Sequence, residues 1–262
     1  MIKQMIQQTK QQTKQQTIQQ TKQQTNEQTN QHTIQHTKQQ IKIQMSESLS
    51  MGILLAITGG FLDAYTFICR GEVFANAQTG NIVLLGLNLA KKNWEMAFRY
   101  FIPVLAFVFG VFIAEIIKYY FKNNNRIHWR QIIIIMEIAL LFFVAFLPQD
   151  FNMLANITVS FVCALQAESF RKIKGNICAT TMCTGNLRTA TELLFLYLKN
   201  GDKALKKKSI WYYTIDLLFV LGAIAGTLLT YRFYLKSVLF CCAILCLAFI
   251  VMFVQNNTEK TN

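Results

Sequence analysis

Seven ionisable side chains stand inside otherwise apolar stretches of this chain: Asp63, Glu115, Glu137, Glu168, Arg188, Glu192 and Asp216. A charge inside hydrocarbon is costly to hold, so each one is a candidate for binding an ion or proton, or for pairing internally. Two of the acids are singled out by spacing. A shift of 105 residues carries Thr79-Gly80-Asn81 onto Thr184-Gly185-Asn186 and Asp63 onto Glu168. Asp63 and Glu168 are therefore expected to bind a cation or proton at matched places. Thr, Gly and Asn are favoured where a helix begins. Each triplet precedes a short apolar run, so each reads as the capped start of a half-helix. The free N–H groups and partial positive charge of such an end can hold an anion. Thr79, Gly80, Asn81, Thr184, Gly185 and Asn186 are expected to line a central site. Arg188, two residues past the second triplet, is expected to pair with Glu168 or Glu192 or to face an anion. The competing reading of the triplets is structural: capped helices packed closely through Gly80 and Gly185.

These residues need elements to hold them. The chain has 262 residues, 53% of them hydrophobic and only 15% charged. The charged share falls below that of ordinary globular domains. The mean hydropathy of +0.29 is pulled down by the first 45 residues, where the theme QQTK, QQTK, QQTI, QQTK recurs. That stretch has too little apolar surface to offset its ordering entropy and reads as a disordered low-complexity tail. From Leu49 onward, apolar segments long enough to cross a bilayer alternate with short basic loops; a spanning helix needs about 20 apolar residues. Residues 49–69, 97–121, 131–148 and 153–170 are four such segments, followed by IWYYTIDLLFVLGAIAGTLLT and by 237–254. The runs behind the triplets, 82–90 and 187–198, are shorter. At 1.5 Å per residue, the first covers about 13 Å, under half a bilayer. The same 105-residue shift carries 131–148 onto 236–253. The chain is therefore read as an all-α integral membrane protein with a two-fold internal repeat, 46–149 and 150–262, behind the tail 1–45.

Charge decides between two topologies. If the triplet segments cross, there are eight spans, and Lys and Arg divide almost evenly between the two sides. If they dip in and return, there are six spans plus two re-entrant helices. Only Arg70, Lys91, Lys92, Arg99, Arg232 and Lys236 then lie opposite the tail. Cytoplasmic loops carry the excess of Lys and Arg, so the six-span arrangement is preferred, with both termini cytoplasmic in the cell membrane. The two triplets then enter from opposite faces.

The net charge of +13 is explained by these loops and not by nucleic-acid binding, since basic runs between spans offer no groove-reading element. The seven cysteines form no CxxC pair, and the three histidines (His32, His36, His128) have no zinc spacing. No metal, cofactor or enzymatic triad is expected.

The stretches GGFLDAYTFICRGEVFANAQTGNIVLLGLNLA (59–90) and ALQAESFRKIKGNICATTMCTGNLRTAT (164–191) resemble the two signature elements of the YoaK-like bacterial membrane proteins, in the same order. This chain departs from the pattern at Gly71-Glu72 and at Leu165-Gln166-Ala167-Glu168, where the family favours a second glycine and an Asn-Ala pair. The resemblance implies a multi-pass membrane protein and assigns no activity. Two functions remain in view: a transporter or channel for a small solute or ion, and a non-transporting membrane scaffold with a dry interior. The lipid bilayer is the partner expected in either case.

Overall fold

The computed structural model describes residues 48–122, 128–173 and 175–258. The tail read over residues 1–45 lies outside them. The described chain is almost wholly helical: α1 (Leu49–Cys69), α2 (Gln78–Ala90), α3 (Trp94–Phe121), α4 (Trp129–Val144), α5 (Asn152–Ser169), α6 (Cys183–Asn200), α7 (Lys203–Phe233) and α8 (Leu239–Thr258). A 3-10 turn, Gln149–Phe151, leads into α5, and another, Tyr234–Val238, joins α7 to α8. The strands Lys172–Ile173 and Asn176–Ile177 pair antiparallel between α5 and α6. Three helical stretches are long and apolar enough to cross a membrane: Leu49–Cys69, Trp94–Phe121 and Lys203–Met252.

Helices are the natural outcome here, because backbone polar groups in hydrocarbon must be satisfied within their own segment. The starts are written locally. Ser48 accepts the Met51 N–H, Asn93 accepts that of Met96, and Asp202 accepts that of Ala204. Gly201, at φ +70°, ends α6 in a left-handed turn that L side chains seldom adopt. His128 opens α4 with a reciprocal cap: its ring accepts the Arg130 N–H, while Gln131 accepts the N–H of His128.

Burial, with the Arg130 charge beside it, holds the His128 imidazole down at about 4. The neutral ring is the folded form, whereas the unfolded chain titrates near 6.5. Stability is then full above pH 6.5 and falls as the pH drops toward 4, because the unfolded chain takes up the proton first. His128→Asn should flatten the loss of Tm between pH 7 and pH 5 in detergent; an unchanged slope in that variant would remove His128 as its source.

Packing is reciprocal across the bundle. α1 lies along α7 and α5 along α3, while α2 rests on α3 and α6 on α7. α4 meets α5, α1 meets α8, and α4 meets α8. Apolar side chains of α1, α4, α5 and α8, among them Phe61, Leu62, Ile134, Leu141, Val159, Val162 and Leu245, form the main buried core. The apolar residues left outside, such as Phe98, Val108, Phe109 and Phe112 on α3 and Leu217, Val220 and Leu228 on α7, suit contact with lipid tails.

Hydrogen bonds define two ends of the bundle. At one, the Arg70 guanidinium donates to the carbonyls of Val144 and Leu147 and to Asn152 Oδ1, joining the end of α1 to the α4–α5 turn. Tyr65 Oη donates to the Leu235 carbonyl there, and Gln149 Nε2 to Tyr234 Oη. Glu95 and Arg99, near the start of α3, line a cavity with Arg70, Gln149 and Asp150 at this same end. At the other end Arg130 Nε donates to the Ser169 carbonyl, and Tyr212 Oη to that of Ile177. α1 therefore ends, and α3 begins, at the Arg70 end. α5 ends, and α7 begins, at the Arg130 end.

Candidate functional site

The triplets sit in identical register on α2 and α6, one position inside each helix. Gln78 and Cys183 begin the helices, and the residues before them, Ala77 and Met182, give no side-chain cap. The capping role expected of the triplets is therefore corrected. Thr79 and Thr184 are exposed, and both asparagines are buried. The reason is a different bond. Asn81 Oδ1 accepts the Phe74 N–H at 3.1 Å, while its Nδ2 donates to the Phe74 carbonyl at 2.8 Å and to Gln78 Oε1 at 2.9 Å. Asn186 Oδ1 accepts the Ala179 N–H at 3.3 Å, and its Nδ2 donates to the Ala179 carbonyl at 2.7 Å. Each asparagine thus grips the backbone seven residues upstream. A carboxamide suits this because it sets one donor and one acceptor side by side. Asn81→Ala strips a partner from both Phe74 groups and should cost about 2–4 kcal/mol. Asn81→Asp should be no better, since its carboxylate would face a carbonyl. Tm of the detergent-purified variants reads this out, and wild-type stability in Asn81→Asp would refute the clamp.

The grip holds each preceding loop deep in the bundle. From the Arg70 end, Asn76 reaches the middle of α1 and donates from Nδ2 to the Gly59 carbonyl at 2.9 Å. From the Arg130 end, Thr180 and Thr181 reach the same glycine: a Cβ on Gly59 would stand 3.1 Å from Thr181 Cγ2 and 3.3 Å from the Thr180 carbonyl oxygen. The two loops converge on Gly59 from opposite ends of α1.

The starts of α2 and α6 are each met by an acid supplied by a long helix. Asp63 on α1 is buried and accepts the Asn76 N–H at 2.6 Å, with the N–H groups of Ala75 and Ala77 adding to it. Asp216 on α7 is buried and accepts from Asn186 Nδ2 at 2.9 Å and from the Cys183 thiol. Its Oδ2 has no hydrogen-bond partner among the described residues. Cys183 lies within electrostatic reach of both Asp216 and Asp63.

The remaining predicted residues lie elsewhere. Glu168 faces Lys118 at 3.8 Å and Arg171 at 3.4 Å at the Arg130 end, so the structure brings it to basic partners and not to Asp63. Arg188 is exposed on α6. Gly80 packs under the Phe74 ring, where a Cβ would stand 2.9 Å from Cδ2, and Gly185 has open space around it. The sequence names Asp216 among its seven charged candidates and gives Asn76 and Cys183 no site role. The available signal was one acid in the middle of a 31-residue helix.

Buried acids at interrupted helices inside an apolar helical bundle define a helical transmembrane protein. The model of a protein family of unknown function, DUF1275, matches residues 51–252, and the chain belongs to that family. It is 26% identical over 190 residues to the UPF0700 transmembrane protein YoaK of Bacillus subtilis (strain 168), covering 69% of this chain and 83% of that relative. No solved structure matches.

Proposed function

We propose that this protein is a transporter for a small cation or small cationic solute, with its central site between the starts of α2 and α6. The observation that carries this reading is the convergence of the two loops on Gly59, with Asp63 and Asp216 beside them. Broken helices that meet near the bilayer midplane are how many transporters build a substrate site. In this bundle each helix start, a place that attracts anions, already has a carboxylate of the protein beside it: Asp63 accepts N–H groups just before α2, and Asp216 bonds side chains at the start of α6. The site therefore favours a positive ligand.

The chain crosses the membrane six times, and α2 and α6 are re-entrant. The support is that α1 ends and α3 begins at one end of the bundle, while α5 ends and α7 begins at the other. The reciprocal packing and the matched asparagine bonds support an internal repeat of opposite orientation. The basic residues clustered at the Arg130 end support placing that end, and both termini, in the cytoplasm.

Flux of a panel of monovalent cations into proteoliposomes tests the reading. Asp63→Asn and Asp216→Asn should each lower flux about tenfold or more, equivalent to about 1.4 kcal/mol on the limiting barrier. Arg188→Gln should transport normally. Wild-type flux in both aspartate variants would overturn the assignment.

A further inference from the structure

Glu137 takes no part in the site described above. It lies in the middle of α4 and is fully buried, and neither of its carboxyl oxygens has a hydrogen-bond partner among the described residues. Among the described residues no ion pair reaches it: of the cations on the elements packed against α4, Lys118 of α3 pairs with Glu115 and Glu168 at the Arg130 end, and Arg99 of α3 and Lys236 of the turn before α8 lie at the Arg70 end. α5 contributes Cys163, which lies within electrostatic reach of Glu137, Asp63 and Cys241 of α8. Cys242 of α8 donates its thiol to the Ile138 carbonyl. α3 meets α4 through apolar Ile113 and Ile117, and the turn before α8 adds Val238. A carboxyl kept in such a place is a functional group by default, because an apolar residue of similar size would pack there at lower cost.

A row of polar side chains on α5 runs from Cys163, which lies within electrostatic reach of Glu137, toward the Arg70 end. Asn156, Ser160 and Cys163 are spaced i, i+4, i+7, which puts them on one face of α5. Asn156 Oδ1 and Ser160 Oγ are buried and have no partner among the described residues. Asn156 also lines the cavity of about 330 Å³ at the Arg70 end, with Glu95, Arg99 and Asp150. Toward the centre, Cys163 lies beside Asn76, whose N–H is bonded to Asp63.

We propose that Glu137 is the proton-binding site that couples this transporter to the proton gradient, loaded from the Arg70 end along Asn156 and Ser160. The step is a plain proton transfer. The O–H bond of the Glu137 carboxyl breaks, and the proton leaves along α5 to water in the cavity, which becomes hydronium. The carboxylate left behind has no partner at its place on α4, and this drives α4 and α5 to a second arrangement. Cys163 carries the change to Asn76 and Asp63. The coupling rests on the transporter reading; the proton site does not.

Infrared difference spectra of the full chain in liposomes, taken across a pH jump, test the site directly. A protonated-carboxyl C=O band should be present in the wild type and in Asp63→Asn, and absent in Glu137→Gln. Its exchange in deuterated water should slow about tenfold in Ser160→Ala, a variant that leaves the carboxyl in place. Identical spectra for wild type and Glu137→Gln would overturn the site, and unchanged exchange in Ser160→Ala would overturn the route. In flux assays, Glu137→Gln should lose acceleration by a pH gradient while keeping exchange driven by cation concentration. A full gradient response in that variant would overturn the coupling and leave the central site standing. Loss of the transport reading through Asp63→Asn and Asp216→Asn would leave the infrared result unaffected.

Discussion

Arg70→Met should lower stability by about 3–5 kcal/mol, because it leaves several buried neutral acceptors unpaired at about 1–3 kcal/mol each. Arg70 is fully buried. Its charge is balanced by the C-terminal end of α4, whose last carbonyls carry a partial negative charge. Nη2 donates to the Val144 carbonyl at 2.8 Å, Nη1 to that of Leu147 at 3.0 Å and to Asn152 Oδ1 at 3.1 Å, and Nε to Tyr65 Oη at 2.9 Å. No other side chain spreads donors in this planar fork, so Arg70→Lys should recover only part of the loss. Methionine matches the length and leaves these acceptors without their donor. Thermal unfolding of the purified protein in detergent measures the effect. A Tm within 2 °C or so of wild type in Arg70→Met would contradict it, since 1 kcal/mol moves the midpoint of a domain of this size by about 2–4 °C.

The second large effect is expected where α1 crosses α7. A Cβ on Gly60 would collide with the Phe219 carbonyl, and one on Gly222 with the Ile57 carbonyl. The obstacle is backbone on both sides, so no rotamer change relieves it. A Cβ on Gly226 would likewise stand 2.9 Å from the Phe61 Cα. Small residues spaced by four on α7 let the two helices approach closely, as is usual between membrane helices. Gly60→Ala and Gly222→Ala must part the helices that hold Asp63 and Asp216. Each should cost about 3 kcal/mol, the upper end for overpacking, and abolish flux even where the protein still folds. Gly86→Ala and Gly185→Ala, with open space around them, should behave as wild type. If the four alanine variants are alike in Tm and flux, the crossing is not what positions the two acids.

The sequence made the outline of this arrangement readable, because it depends on local signals. Apolar length marked α1, α3 and the later spans. The repeated triplets marked α2 and α6, down to the same register in both. The partners of the two helix starts were not readable in the same way. A linear shift pairs Asp63 with Glu168, but the start of α6 is met by Asp216, which comes from the helix after it, whereas Asp63 comes from the helix before α2. Which acid arrives depends on α1 lying along α7, a contact between residues far apart in the chain. Residue type alone points the asparagines to a capping role. Their actual bond reaches seven residues back, a distance that no helix-start rule anticipates. The isolation of Glu137 is a property of the helices packed around it, not of its neighbours in sequence, so the sequence does not set it apart from the other six charged candidates.

The pairing of α1 with α7 also sets a problem of biosynthesis. Ribosomes add about 5–20 residues per second, and Lys203 follows Cys69 by 134 residues. Roughly 7–27 seconds therefore separate the emergence of α1 from that of its partner. During that interval α1 resides in the insertion machinery or the bilayer with the Gly60 face, which packs on Phe219 of α7, still uncovered by its partner. A helix that must wait in this state is a natural client for an insertase or a membrane chaperone. Truncated nascent chains ending before α7 should crosslink to such a factor through α1, and chains that include α7 should release it.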